Sequence, residues 1–359
     1  MVKIEFRWLL VPLVALAALY AAQIRAESPQ SSSAAPVEQA NAPARRAGHV
    51  LVVENPRATS LFSPQRGPVA EMMRAGILSV TGKESIPAAW LSLLTTQDTV
   101  GIKVYSAPGR ISGTRPEVAA ALVGQLLEAG IPPRQILVWD RRLSDLRLAG
   151  FFDLADQFKV QIAGSAEEGY DEKVFYERAL LGKLVWGDLE FGKRTEGIGR
   201  KSFVSKLVTQ RMTKIINLTP LLNHNLAGVS GNLFGLTMGC IDNWIRFENE
   251  PRELAQALPE IYALPEVGDK VVFNIVDALI CQYQGEESLL HYSAPLNQLR
   301  FSTDPVALDV LSLREIDYQR DLSKTSPVKS NLQIYDNAAL LEIGVSDLRK
   351  IEVERLVQK

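Results

Sequence analysis

Eight polar residues carry groups able to do chemistry and stand in or beside strand-like patterns: Lys103, Asp140, Asn223, His224, Asn225, Asp277, Asp304 and Asp309. An imidazole exchanges a proton or ligates a metal near neutral pH, so His224, one of three histidines in the chain, is the expected acid or base. Lys103 interrupts an otherwise apolar run. A buried ammonium without a partner costs several kcal/mol or loses its proton. This lysine therefore either faces a cleft, paired with a carboxylate or an anionic ligand, or snorkels from an edge strand. Asp277, in Asn-Ile-Val-Asp-Ala-Leu, has no local capping role and joins His224 and Lys103 as the third expected catalytic residue. Asp304 precedes Pro305 and is explained by capping alone. With Asp309 it also makes the pair of carboxylates that, beside one His, would suit a hard divalent metal ion.

The stretch after His224 contains Gly228, Gly231, Gly235 and Gly239, which let a backbone approach a ligand closely, and Ser230 and Asn232 add donors. The start of the helix expected there would cradle an anionic group. Asp140, Asn223, Asn225, Gly228, Ser230 and Asn232 are accordingly the expected ligand-binding residues. The alternative for His224 is a structural imidazole bonded within its own loop.

Elements able to position these groups are legible. In Asp-Thr-Val-Gly-Ile-Lys-Val-Tyr-Ser, Val100, Ile102 and Val104 alternate with Gly101, Lys103 and Tyr105, the period of a strand. Thr114, Pro116 and Glu117 read as a capping box opening a helix, Val118, Leu122 and Leu126 recur on one face, and Gly130 ends it. Gln135 to Trp139 is a second strand, which makes a βαβ unit. A second half starts near Lys206, with strands at 214–218 and before Asp277, a glycine-interrupted helix after His224, and a helix from Pro305. Residues 165–199 mix aromatics, glycine and charge without a period and read as an insertion, with a hairpin expected around Trp186 and Phe191. The fold class is α/β: a mostly parallel sheet with flanking helices, two α/β halves around a cleft. Ligands in such sheets bind beyond the carboxyl ends of the strands.

Composition narrows the function. With 39 Lys and Arg against 41 Asp and Glu the chain has no broad positive field, so nucleic acid is not an expected partner. Two cysteines, Cys240 and Cys281, cannot supply the four thiolates of an ordinary iron-sulfur cluster and read as buried free thiols or, at most, one non-catalytic bridge. No nucleotide-binding or serine-hydrolase motif occurs. Lys3 and Arg7 precede an apolar run from Trp8 to Ala22, the pattern of a signal peptide or short signal anchor over residues 1–26. A Ser-, Ala- and Pro-rich tether follows at 27–48, and the folded part is expected over 49–359. The expected location is the periplasm or the outer face of the inner membrane, with membrane contact only through the N-terminal segment. The sequence carries no signal of oligomeric state.

The ordered segments Val-Gly-Ile-Lys-Val-Tyr-Ser, Thr114 to Arg141, Ile-Asn-Leu-Thr-Pro-Leu-Leu-Asn-His-Asn-Leu-Ala-Gly-Val-Ser-Gly-Asn-Leu-Phe-Gly, Asn-Ile-Val-Asp-Ala-Leu and Ser-Thr-Asp-Pro-Val-Ala-Leu-Asp resemble the DUF362 family over about residues 98–315. The resemblance implies an exported α/β domain and supplies no reaction. It implies that His224, Gly228 and Asn232 are retained family positions. Leu222 and Gly231 stand where family members carry lysines, so family chemistry that uses lysine charge there is not expected.

Two functions compete. One is an envelope enzyme acting on a small or saccharide-derived substrate through His224 and its carboxylates, and the other is a non-catalytic envelope binding module for an anionic ligand. His224 converging with two carboxylates would favour the enzyme. His224 bonded only to backbone would favour the binding module or a third reading, an interaction scaffold with no polar groups converging on the cleft.

Overall fold

The computed structural model describes residues 47–247, 250–327 and 330–359. The expected export segment and all but the last two residues of the tether lie outside them. The first strand, β1, is His49–Glu54. After a small hairpin of Thr59–Ser60 and Ser63–Pro64 come β2 Val100–Lys103, β3 Ile136–Asp140, β4 Gln161–Gly164, β5 Tyr170–Glu177, β6 Lys201–Ser205, β7 Lys214–His224, β8 Gly228–Val229, β9 Val271–Gln282, β10 Ser293–Ser302 and β11 Glu352–Val357. The principal sheet runs β11-β1-β10-β9-β7-β2-β3-β4, with β8 folded back on β7. All neighbours from β9 to β4 along this order are parallel, as are β1 and β11, while β10 is antiparallel to both β1 and β9.

Among the helices that cover the two faces are α1 Arg66–Thr81, α2 Pro116–Glu128, α3 Asn232–Cys240, α4 Pro251–Tyr262, α5 Pro305–Ser323 and α6 Gln333–Leu340. The alternation of β2 decides which face each residue serves. Val100, Ile102 and Val104 join Ile136, Val138, Phe273 and Phe301 in a core closed by Met72 and Met73 of α1 and Val118, Leu122 and Leu126 of α2. On the opposite face Leu137, Trp139, Ile215 and Val276 pack with residues of α3, α4, α5 and α6. Cys240 and Cys281 are both buried and unbridged. Among the described residues no helix is long and apolar enough to cross a membrane.

Several local expectations differ from the structure. The cap of α2 is Arg115, with no side-chain bond, because Thr114 instead spends its hydroxyl accepting from Tyr105 N at 2.9 Å and donating to Leu218 O at 3.0 Å. Glu117 pairs with Arg110. β7 is twice the length expected and runs through Pro220. It can do so because β2 pairs with it only as far as Asn217, so the missing N–H of Pro220 lies beyond that ladder. Asp277 sits in the middle of β9 rather than at the end of a strand. β5 and β6 pair with each other, but Trp186 and Phe191 lie in the turn-rich segment between them rather than on strands.

Candidate functional site

The chain leaves β2 toward β3 through α2, while β7 lies on the other side of β2, so the strand order reverses at β2. At such a reversal adjacent loops diverge and leave a crevice. A cavity of about 440 Å³ opens there, reached by Tyr105 after β2, Asp140 and Arg141 at the end of β3, and His224 and Asn225 at the end of β7.

Lys103 is fully buried and stands beneath this cavity rather than in its wall. Its Nζ lies 2.8 Å from Asp140 Oδ1 and donates to Val104 O at 2.7 Å. Asp140 Oδ2 accepts from both N and Oγ of Ser106, each at 2.7 Å. Burial pushes the Asp140 carboxyl up, and Lys103 with the Ser106 hydrogen bonds outweighs it, leaving the carboxyl below its ordinary value. The lysine is thus neither on an edge strand nor free for a ligand. Gly239 of α3 covers the pair, since a Cβ there would fall 2.3 Å from Lys103 Cε and 2.7 Å from Nζ.

His224 ends β7 and turns its ring back on its own loop. Nδ1 accepts from Leu226 N at 3.3 Å and Ala227 N at 3.1 Å, and the ring packs on Phe234 at 3.9 Å between centroids. Two donors aimed at Nδ1 leave the proton of the neutral imidazole on Nε2. Burial lowers the pKa, with Glu286 partly opposing, so the ring is neutral near pH 7. Nδ1 and Glu286 Oε1 are 3.7 Å apart, but Glu286 is engaged in accepting from Asn225 N at 2.5 Å. The histidine offers the cavity a hydrogen-bond donor rather than a base.

Arg141 is the cation of the wall. Its guanidinium lies 3.9 Å over the Trp244 ring, while its Nε is buried without a hydrogen-bond partner. Among the described residues it forms neither a salt bridge nor a side-chain hydrogen bond. Tyr105 completes this side, its phenol pushed up to about 12 by burial, with Arg141 opposing. Asp145 and Glu286 bring two carboxylates to the rim, and Phe247, Leu254 and Met238 make the apolar remainder.

Of the residues expected from sequence, Asp140, His224 and Asn225 meet in this cavity. The others are placed elsewhere. Asp277 is fully buried, 3.0 Å from Arg115 Nη1, and accepts from Arg115 N at the start of α2. Asp304 caps α5 through Ala307 N at 2.9 Å and also accepts from Gly48 N and Val345 N, tying the start of β1 to the tail. Asn223 accepts from Arg320 and donates to Asn225 Oδ1, and Gly228 adopts φ +88° in the turn that pairs it with His224. Ser230 Oγ lies 3.5 Å from Asn223 O.

The anion cradle expected at the start of α3 exists, and the protein fills it itself. Asp309 of α5 accepts from Asn232 N at 2.7 Å, Asn232 Nδ2 at 2.9 Å and Leu233 N at 2.9 Å. Gly231 is required for this approach, because a Cβ there would stand 2.2 Å from Asp309 Oδ1. Asp304 and Asp309 are therefore spent on helix ends. Among the described residues no group of three or more His, Cys, Asp or Glu side chains is placed to hold a metal ion.

Arg141 escaped the sequence reading although a signal existed: it directly follows Asp140 at a strand's carboxyl end. Trp244, opening a short 3-10 turn, and Glu286, in a loop, come from segments whose local pattern points to nothing.

No curated protein matches the chain. A crystal structure of a Thermotoga maritima protein from a structural genomics programme aligns with a TM-score of 0.33 and 12% identity, covering 73% of this chain. The aligned chain spans 59% of that protein's length. The family described as a domain of unknown function, DUF362, matches residues 100–314, more than half of the chain and all of the segment from β2 into α5 that builds the cavity. The chain belongs to the DUF362 family.

Proposed function

We propose that the protein is an exported binding module of the cell envelope whose cavity captures a small organic anion, a saccharide-derived acid or phosphate being the class that fits. The observation that carries this reading is Arg141. It is a cation on the cavity wall with a buried, unpartnered Nε, and its guanidinium is stacked on Trp244. An arginine so placed presents a planar fork that matches carboxylate or phosphate. The Trp244 ring and Phe234 offer flat apolar surface to a sugar or ring, and His224 Nε2–H and Asn225 add polar contacts. The tie of His224 Nδ1 to two backbone amides favours capture over acid-base turnover. Export rests on the charged and apolar pattern of residues 1–26.

A catalytic reading is favoured by one observation. A neutral imidazole donating from Nε2 can polarise a carbonyl, and the carboxylates of Asp145 and Glu286 lie at the same cavity. Uronic acids, sugar phosphates and small carboxylates screened by thermal shift test the binding reading. At least one should raise Tm in the wild type and fail to do so in Arg141→Gln. Equal shifts in both proteins, or none with any anion, would refute it. Mass spectrometry of the incubated hit separates the two readings, since capture returns it unchanged.

A further inference from the structure

The segment between β5 and β6 is an exposed loop that the cavity does not use. Trp186 is 88% exposed, Leu181 63% and Phe191 47%, and the Trp186 and Phe191 rings meet edge to face with centroids 5.9 Å apart. Large apolar groups gathered this openly on a surface mark a contact site. The charges around them are sorted. Lys183, Lys193, Arg194 and Arg200 are exposed, with Glu196 the one exposed acid of the loop. The remaining carboxylates are turned to the backbone: Asp188 accepts from Val185 N and Asn243 N, and buried Glu190 accepts from Gly199 N. Asn243 Nδ2 donates to Gly199 O and Lys201 O, which holds the loop to the body of the domain.

We infer that this loop is a docking surface for an anionic phospholipid bilayer. Tryptophan, phenylalanine and leucine partition into the headgroup boundary, and flanking cations are drawn to an acidic lipid surface. A protein partner would meet the same apolar tip, but the outward bias of charge in a chain of net charge −2 is complementary to a polyanionic plane. Each cation near such a surface strengthens partitioning roughly fivefold. The loop is already ordered by its internal hydrogen bonds, so binding costs little further entropy. The inference is independent of what occupies the cavity.

The test uses the full chain, with a Phe191→Cys variant carrying an environment-sensitive dye. Both native cysteines are buried, so the introduced thiol labels selectively in the folded protein. Vesicles of phosphatidylcholine with about a third phosphatidylglycerol should shift the dye emission to the blue. Pure phosphatidylcholine should do so at least tenfold more weakly. Adding Lys193→Glu and Arg194→Glu should reduce the response to acidic vesicles by more than tenfold, with melting unchanged because all three positions are exposed. The inference is overturned if the dye does not respond while the chain sediments with vesicles, which would leave attachment to residues 1–26 alone. It is equally overturned if the charge reversals have no effect, or if the dye shifts with protein concentration before lipid is added, which would assign the face to a second copy.

Discussion

Replacing Asp140 with Ala tests the pair on which the cavity floor rests. The substitution leaves the Lys103 ammonium fully buried with Val104 O as its one remaining hydrogen-bond acceptor among the described residues, and it orphans the N–H and O–H of Ser106. Removing one partner of a buried pair costs about 3–5 kcal/mol, most of it the penalty of an uncompensated charge. At roughly 2–4 °C per kcal/mol for a domain of this size, Tm should fall by about 10 °C. The double variant Lys103→Met with Asp140→Leu removes both charges and should recover about half of this. A deficit of about 1–3 kcal/mol should remain from Ser106, whose donors stay unpaired. Urea titration with linear extrapolation measures all three proteins. The pH dependence is a further readout. Because the folded carboxyl is held below its ordinary value, its contribution is full above the unfolded pKa near 3.9 and is lost as pH falls below it. An Asp140→Ala protein within ~1 kcal/mol of wild type, or a double variant no better than the single, would refute the buried-pair argument.

His224→Ala should cost ~1–3 kcal/mol in denaturant titrations, because two backbone N–H groups lose their acceptor, while His224→Asn should cost less since its side chain can bond the same loop amides. Burial holds the folded imidazole below its ordinary pKa, so between that lowered value and about 6.5 only the unfolded chain takes up the proton. Wild-type stability should thus fall as pH drops through 6.5, and His224→Asn should lack this part of the slope. Gly231→Ala should destabilise by ~2 kcal/mol or more in the same assay, since the added Cβ displaces Asp309 from three donors. Burial pushes the Cys240 thiol up to about 12 and raises Cys281 as well, so a thiol reagent should find neither in the native protein and both after denaturation, with or without reductant.

Sheet and helices were legible where local pattern and tertiary role agree. The strand at Val100, the helix from Pro116, the cap at Asp304 and the following helix all announce themselves by alternation, spacing and capping. The length of β7 was hidden by Pro220, which is tolerated only because β2 has already ended beside it. The site was half legible for a related reason. Three polar residues near strand ends, Asp140, His224 and Asn225, meet in the cavity, but a buried carboxylate looks the same in sequence whether it serves a ligand or the fold. Asp277, Asp304 and Asp309 each satisfy backbone amides contributed by residues far away in the chain or beyond a turn. Sequence spacing holds no trace of the Asp309 to Asn232 contact, which joins helices 77 positions apart.

That contact carries a broader consequence. Many proteins leave the positive end of a helix to whichever phosphate, sulfate or chloride the medium supplies, and their rigidity then varies with buffer and salt. Here the counter-ion of α3 is covalently part of the chain, delivered at a fixed stoichiometry of one and unable to diffuse away. The wall that α3 lends to the cavity thus needs no ion from the medium to satisfy its first amides while Asp309, pushed up to about 6 by burial, stays ionised. An anion arriving from outside finds that helix end already taken.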